Sequence, residues 1–173
     1  MTPGRAKKTR SHCNGYRFVQ KNGGLATAKS YPYDPKQTDD TDKCKEVKPA
    51  GGLVSGFDYA THPCSTGYCT RQDEDTLQKN VASSGAPSIC IDASAFDDYV
   101  KGVMTKASCS SAAAKQDHCV QLVGFNTASD PPYWIVRNTW DDDWGIDGYA
   151  YFKMGDNTCG VANEATIPRA AAA

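Results

Sequence analysis

The residues best suited to chemistry in this chain are its eight cysteines, because a thiol can act as a nucleophile, bind a metal or form a disulfide. Cys64 and Cys69 have a spacing that suits either a small disulfide loop or a pair of metal ligands. His62 lies close by, but no second well-spaced pair completes a zinc site, so no metal is predicted. Eight cysteines in 173 residues favour disulfides and an oxidising compartment. They are Cys13, Cys44, Cys64, Cys69, Cys90, Cys109, Cys119 and Cys159.

The composition is that of a globular protein and not of a disordered or membrane-spanning one. With 173 residues, 39% of them hydrophobic and 23% charged, the chain is long enough for one domain with a real core. No apolar run approaches the roughly 18 residues that a membrane-spanning helix requires. The net charge of -1 provides no basic surface, so nucleic acid is not predicted as a partner.

Residues 1–14 are predicted to form a separate basic segment. No acidic residue occurs there, and no apolar stretch follows the basic residues as a secretory signal would require. An organellar presequence and a disordered basic terminus are the two alternatives, and the absence of an amphipathic face favours the second. The sequence also has no Asn-X-Ser/Thr glycosylation site, so the compartment is not determined.

The pattern of apolar residues and turn signals predicts helices early in the chain and strands late. Residues 16–21 are expected to end a helix at Asn22-Gly23-Gly24, and acidic residues in the first turn predict another helix over 73–83. Residues 95–103 suit a short helix or a turn. The result is an α+β fold with an antiparallel sheet in its second half. Strands are predicted over 53–59, 89–92, 119–125, 133–137 and 148–153.

Several ordered motifs carry a resemblance to a known family. Residues 22–25 read Asn-Gly-Gly-Leu and 30–33 Ser-Tyr-Pro-Tyr, while later motifs occupy 117–120, 133–140, 143–149 and 157–162. In this order and spacing they resemble the papain-like cysteine peptidases of the cathepsin L type. The resemblance implies the C-terminal, β-barrel-like antiparallel domain of the papain fold over residues 15–173, with remnants of the helical N-terminal domain.

The resemblance also implies site residues. His118 matches the catalytic imidazole, Asn138 the amide that orients it, and Trp140 the indole that shields their hydrogen bond from water. Trp144 matches a second indole on the leaving-group side. Cys119 occupies a position that lines the specificity pocket, and Glu164 a position that closes it.

The family's nucleophile is missing from these residues. Its Gln…Cys-Gly-Ser-Cys-Trp segment does not occur, so both the thiol and the oxyanion-hole glutamine are absent from the printed sequence. Cys119 is not a substitute, because neighbouring side chains on a strand point to opposite faces and His118 occupies the adjacent position.

The resemblance also bears on the remaining cysteines and on one run of acidic residues. The resemblance implies a Cys109–Cys159 disulfide, and it implies a partner for Cys44, for which Cys13 is one candidate. Cys90 and Cys119 are predicted to be buried thiols. The run Asp141-Asp142-Asp143 replaces a family glycine at its first position and suits either an acidic rim or a solvated turn.

Two functions remain open on these residues. The favoured hypothesis is a non-catalytic relative that serves as a structural or accessory subunit. The alternative is a portion of an active cysteine endopeptidase, with His118 and Asn138 serving a cysteine on another polypeptide. Both predict a protein partner, either a complementary N-terminal half or a larger assembly, because one apolar face would otherwise be exposed. No cofactor is predicted, and the family suggests a lysosomal, secreted or other oxidising location.

Overall fold

A computed structural model describes residues 12–32, 47–62 and 72–171 of the chain. The described residues belong to two compact units. The larger unit takes in His12 and the described part of Asp58–Ile167, and the smaller one takes in the described parts of Cys13–Phe57 and Pro168–Ala173.

The smaller unit is built around one amphipathic helix, α1 (His12–Asn22). The helix ends where the sequence predicts, because Gly23 and Gly24 both have positive φ and their N–H groups return to carbonyls of the last turn. Val19 is buried, and the Gln20 side chain donates to the carbonyl of Ser55 at 2.8 Å. A bridge between Leu25 and Gly51 holds the following segment.

A seven-stranded sheet forms the main framework. Its order is β1-β7-β2-β4-β5-β6-β3, and its central ladders are antiparallel. The strands are β1 (Val54–Tyr59), β2 (Ser88–Ile91), β3 (Val103–Met104), β4 (His118–Asn126), β5 (Tyr133–Arg137), β6 (Tyr149–Lys153) and β7 (Ala165–Ala170).

One face of the sheet supplies the core of the larger unit. Period-2 alternation buries every second side chain of the central strands, including Leu122, Trp134 and Phe152, which are inaccessible to solvent. Burying side chains of this size contributes about 1.5–3 kcal/mol each, before the entropic cost of ordering them. The packed core therefore fixes the positions of the strand ends, whose side chains lie outside the core.

Helix α2 (Glu74–Ser84) covers part of this core. Asp73 caps it by accepting the N–H of Thr76 at 2.9 Å, as expected of an aspartate at that position. Leu77 and Val81, four residues apart, form its buried stripe. The pKa of Asp73 is lowered by its hydrogen bonds from the side chain and backbone of Thr76.

The predicted α+β class and the predicted strands are confirmed, with shifts of one or two residues at their ends. Two strands were not predicted: β3 pairs with β6 in parallel, and β7 pairs with β2. The segment predicted as a helix or turn over 95–103 forms turns. Two short 3-10 helices, Ala113–Lys115 and Thr158–Gly160, complete the described elements.

No helix among the described residues is both long and apolar enough to cross a membrane.

Candidate active site

The centre of the candidate site is a hydrogen bond between His118 and Asn138. His118 is the first residue of β4, and Asn138 comes directly after the last residue of β5, the neighbouring strand. Nε2 of the imidazole lies 2.9 Å from Oδ1 of the amide. Because Oδ1 only accepts, Nε2 must carry the proton that it donates. The other ring nitrogen, Nδ1, is then the atom that can exchange a proton with a reacting group.

The amide that receives this bond is firmly held. Only 6% of Asn138 is exposed, and its backbone N–H donates to the carbonyl of Gly148 at 3.0 Å. Its Nδ2 atom is buried and has no hydrogen-bond partner among the described residues. A buried amide nitrogen without a hydrogen-bond partner costs stability. The orientation of the Asn138 amide is therefore explained by the bond that its Oδ1 accepts from His118.

Aromatic rings surround the imidazole on two sides. The Trp140 indole lies beside His118 with ring centroids 5.4 Å apart, tilted by 31°. Phe96, which is fully buried, approaches the imidazole edge-on at 6.0 Å. Trp140 itself remains 38% exposed, so it forms an outer apolar cover over the site and not part of the core. That this indole shields the hydrogen bond of His118 from water remains a prediction.

Trp144 holds the outer indole in place. Its ring meets Trp140 in a T-shaped contact at 5.6 Å, and its Nε1 donates to the carbonyl of Phe96 at 2.9 Å. The following turn requires Gly145, which has φ +63°, because a Cβ there would lie 2.6 Å from the carbonyl oxygen of Tyr149. The Trp-Gly motif therefore serves to position the indole of Trp144.

The prediction that Cys90 and Cys119 are free buried thiols is wrong. They lie directly opposite each other on β2 and β4, with Cα atoms 4.0 Å apart, and they form a disulfide. The sequence could not show this, because the register of two distant strands depends on how both pack on the core. Cys119 therefore carries a disulfide sulfur and not a thiol.

The other cysteine predictions have different outcomes. The structure contains the Cys109–Cys159 disulfide that the family resemblance implies. The Cys64–Cys69 loop and Cys44 lie outside the described residues, and of Cys13 only the backbone is described, so their pairing stays a prediction.

Glu164 lies beside Cys90, one of the two residues of the Cys90–Cys119 disulfide. Its carbonyl accepts the N–H of Cys90 at 3.3 Å, which places the two residues side by side at the start of β7. Asp141, Asp142 and Asp143 are exposed, and Asp141 has φ +69°, a left-handed conformation that favours glycine. The substrate-binding roles of Cys119, Trp144 and Glu164 remain predictions.

Sequence reasoning missed Phe96, which contacts His118, Trp140 and Trp144 at once. The segment around it gives no periodic signal, and only its packing reveals its role. Its loop is held by two carboxylates. Asp117 accepts the N–H of Ala93 at 3.0 Å, and Asp92 accepts the N–H groups of two serines on either side of the loop.

Asp92 is the more buried of these two carboxylates. Burial alone would raise its pKa, but the hydrogen bonds from Ser110 and Ser94 outweigh burial and lower the pKa below its usual value. Asp92 therefore stays ionised while it holds the loop that carries Phe96. Within the described ranges, no three histidine, cysteine or acidic side chains are grouped so that they could hold a metal ion.

Comparison with known protein families identifies the family that this chain matches. Residues 9–169 match the sequence profile of the papain family cysteine proteases. The chain belongs to the papain family. A solved structure of the digestive procathepsin L2 proteinase from the larval midgut of Tenebrio molitor shares its fold, with a TM-score of 0.73 and 29% identity over 91% of this chain and 46% of that one.

Curated relatives lie in the same family. Silicatein from Petrosia ficiformis is 35% identical over 90% of this chain and 42% of its own length. A cathepsin L-like peptidase from Aedes aegypti is 37% identical over 90% of this chain and 45% of its own length. Human cathepsin O is 38% identical over 65% of this chain and 33% of its own length. The chain thus spans less than half the length of these papain-family relatives.

Proposed function

We propose that this chain carries the proton-transfer half of a papain-type active site, with His118 as the general acid and base for a cysteine thiol that another polypeptide segment supplies. The observation that carries the proposal is the 2.9 Å contact between His118 Nε2 and Asn138 Oδ1. That contact commits Nε2 to the amide and leaves Nδ1, which has no hydrogen bond to a described residue, for the reaction.

The chemistry follows from that orientation. Nδ1 takes the proton of the thiol, and the resulting imidazolium stabilises the thiolate beside it. The thiolate attacks the peptide carbonyl, and the imidazolium then gives its proton to the leaving amine. Asn138 keeps the ring in the required orientation throughout, and Trp140 limits the access of water to the Nε2 hydrogen bond.

We place the nucleophile outside these residues on two grounds. All four cysteines whose side chains the structure describes are joined in disulfides, so none of them provides a thiolate. The family segment that carries the nucleophile is also absent from the printed sequence. The thiol therefore belongs either to a further part of the same polypeptide or to a partner chain with the complementary half of the papain fold.

The oxidised state of the described cysteines favours a second candidate function. A papain-family domain whose described cysteines are all oxidised suits a non-catalytic accessory subunit, in which the His118–Asn138 pair is retained for structure. Under both candidates the chain works with a complementary part of the papain fold or with a larger assembly. The two disulfides among the described residues support an oxidising compartment.

An epoxide probe that alkylates papain-type nucleophiles separates the two candidates. We would isolate the protein from its natural source with everything attached to it, add the probe, and locate the label by intact and peptide mass spectrometry. The proton-transfer proposal expects one labelled cysteine outside these 173 residues. Labelling of the same polypeptide would indicate a longer protein, and labelling of a second one would indicate a two-chain enzyme. No label on any chain would overturn the proposal in favour of the accessory subunit.

Variants tie the label to the histidine. In the assembled protein, His118→Asn should slow labelling by about 100-fold or more, since removal of a general base typically costs two to four orders of magnitude. His62→Asn is the matched control and should label at the rate of the unmodified protein. Equal rates for both variants would mean that the labelled cysteine does not depend on His118.

A further inference from the structure

The Cys90–Cys119 disulfide lies one register position from the candidate base. Along the β2–β4 ladder, Cys90 is paired with Cys119, and Ile91 is paired with His118 as the next and final pair. The crosslink therefore joins the two strands at the penultimate pair, immediately inside the pair that contains the histidine.

The end of a ladder is where strands separate most easily, because its last residues have ladder partners on one side only. β2 ends at Ile91 and β4 begins at His118, so the imidazole sits at that end of the ladder. Beyond this pair the Asp117 N–H donates to the Ile91 carbonyl at 3.0 Å, so the histidine lies between this bond and the crosslink. Its hydrogen bond reaches a different segment, the residue that follows β5. Fraying of the last pair by about 1 Å would take Nε2 beyond hydrogen-bond distance of the amide.

The crosslink does not compete with the imidazole for space. Successive side chains on a strand point to opposite faces, so Cys90 and Cys119 share one face while Ile91 and His118 share the other. The disulfide can thus fix the backbone beneath His118 without touching the face on which the imidazole meets Asn138 and Trp140.

We propose that the Cys90–Cys119 disulfide positions His118, holding the terminal ladder pair closed so that the imidazole stays hydrogen-bonded to Asn138. This inference rests on the proposed function, since it concerns the position of the proposed base. In this inference Cys90 and Cys119 are positioning residues, which act on His118 through the backbone of the two strands.

The proposal implies a conflict between two sulfur sites. The nucleophile of the proposed function must be a reduced thiolate, whereas the positioning crosslink must be oxidised. Dithiothreitol, a dithiol, would supply two electrons and two protons to the crosslink, which becomes two thiols while the reagent closes to a cyclic disulfide. Labelling by the epoxide probe should therefore rise at low dithiothreitol and fall again, at least fivefold, when the crosslink is reduced.

The decisive test observes the ring itself and does not require activity. In protein labelled with ¹⁵N-histidine, the three imidazoles are assigned with His62→Asn and His118→Asn, and proton–nitrogen correlation spectra distinguish the two ring nitrogens. The oxidised protein should show His118 as one species protonated on Nε2, with slow exchange of that proton. The Cys90→Ala/Cys119→Ala variant should show a mixture of ring forms and exchange at least tenfold faster.

The matched control removes the other crosslink. Cys109→Ala/Cys159→Ala should lower the melting temperature yet leave the His118 signal as in the unmodified protein. If the Cys90→Ala/Cys119→Ala variant also keeps that signal, with exchange within twofold, the disulfide does not position His118 and the inference is wrong.

A second measurement covers the case in which the variant does not fold. Dithiothreitol is added to the unmodified protein, alkylation and mass spectrometry report which disulfide has opened, and far-ultraviolet circular dichroism reports global unfolding. The inference expects the His118 signal to change with opening of Cys90–Cys119 and before the circular dichroism signal changes. A change that accompanies only global unfolding contradicts it. A responsive His118 with no labelled cysteine anywhere would overturn the proposed function alone.

Discussion

Two buried asparagines in the larger unit differ in how completely their amides are hydrogen-bonded. Asn163 is fully buried; its Oδ1 accepts from Asn157 and its Nδ2 donates to the carbonyl of Ser111, both at 2.8 Å. Asn138 is 6% exposed; its Oδ1 faces His118, and its Nδ2 has no partner among the described residues.

The difference distinguishes a structural amide from one that is retained for another purpose. A buried amide that is fully paired stabilises its surroundings, because every group that it removes from water is compensated. A buried donor without a partner costs about 1–3 kcal/mol, so folding stability alone does not explain Asn138. Its one satisfied atom orients the imidazole, which supports a role in the chemistry of His118.

The largest effect on stability should come from Asn163→Leu. This change keeps the branching of the side chain but removes the partner of the Asn157 amide and of the Ser111 carbonyl and buries no polar group in exchange. We expect the free energy of unfolding to fall by about 3 kcal/mol, measured by urea denaturation. A loss below about 1 kcal/mol would show that full pairing of this amide does not stabilise the fold.

A second fully paired group, Glu74, should have the next largest effect. Its carboxylate accepts from the indole of Trp134 at 2.6 Å and from the backbone of Gly155 and Asn157. Glu74→Gln replaces charged acceptors by one carbonyl and one donor, so we expect a loss of about 2 kcal/mol. Asp75→Asn, one residue further on the same helix and exposed, is the control and should change stability by less than about 0.5 kcal/mol.

Acid should weaken the loop that carries Phe96. The folded-state pKa of Asp92 lies below its usual value, so its contribution to stability is present above pH 4 and is lost as the pH falls through the folded pKa. The unmodified protein should therefore be more stable than Asp92→Asn at pH 6, and this difference should shrink towards pH 3. Urea midpoints of both proteins across this range test it; a constant difference would mean that Asp92 does not titrate with folding.

The smallest stability effect, and the sharpest contrast with Asn163, should come from Asn138→Leu. Removing an unpaired donor offsets the loss of one hydrogen bond, so the free energy of unfolding should change by less than about 1 kcal/mol. The ring of His118 should nevertheless lose its preference for the Nε2-protonated form in nitrogen-correlated spectra. If Asn138→Leu destabilises the protein as much as Asn163→Leu, the two amides have the same structural role and the comparison fails.

Much of the local structure could be predicted from the sequence. The Asn22-Gly23-Gly24 stop, the acidic first turn of α2 and the residue patterns of β4, β5 and β6 are local signals, and the elements form where these signals predict them. The resemblance to the papain-like peptidases implied that His118 and Asn138 act as a pair. Strands β3 and β7 were not predicted. β3 has only two residues, and β7 contains a proline and has only two buried positions in an otherwise more exposed segment.

The sequence by itself determined the residue types of the site and the strands that carry them, since both depend on neighbours within a few positions. Only the tertiary structure decided which distant groups meet. The register of β2 against β4 joined Cys90 to Cys119, and the packing of the loop above the core brought Phe96 against His118. Register and loop packing are set by burial of the whole sheet face, a sum over many residues that no local pattern contains.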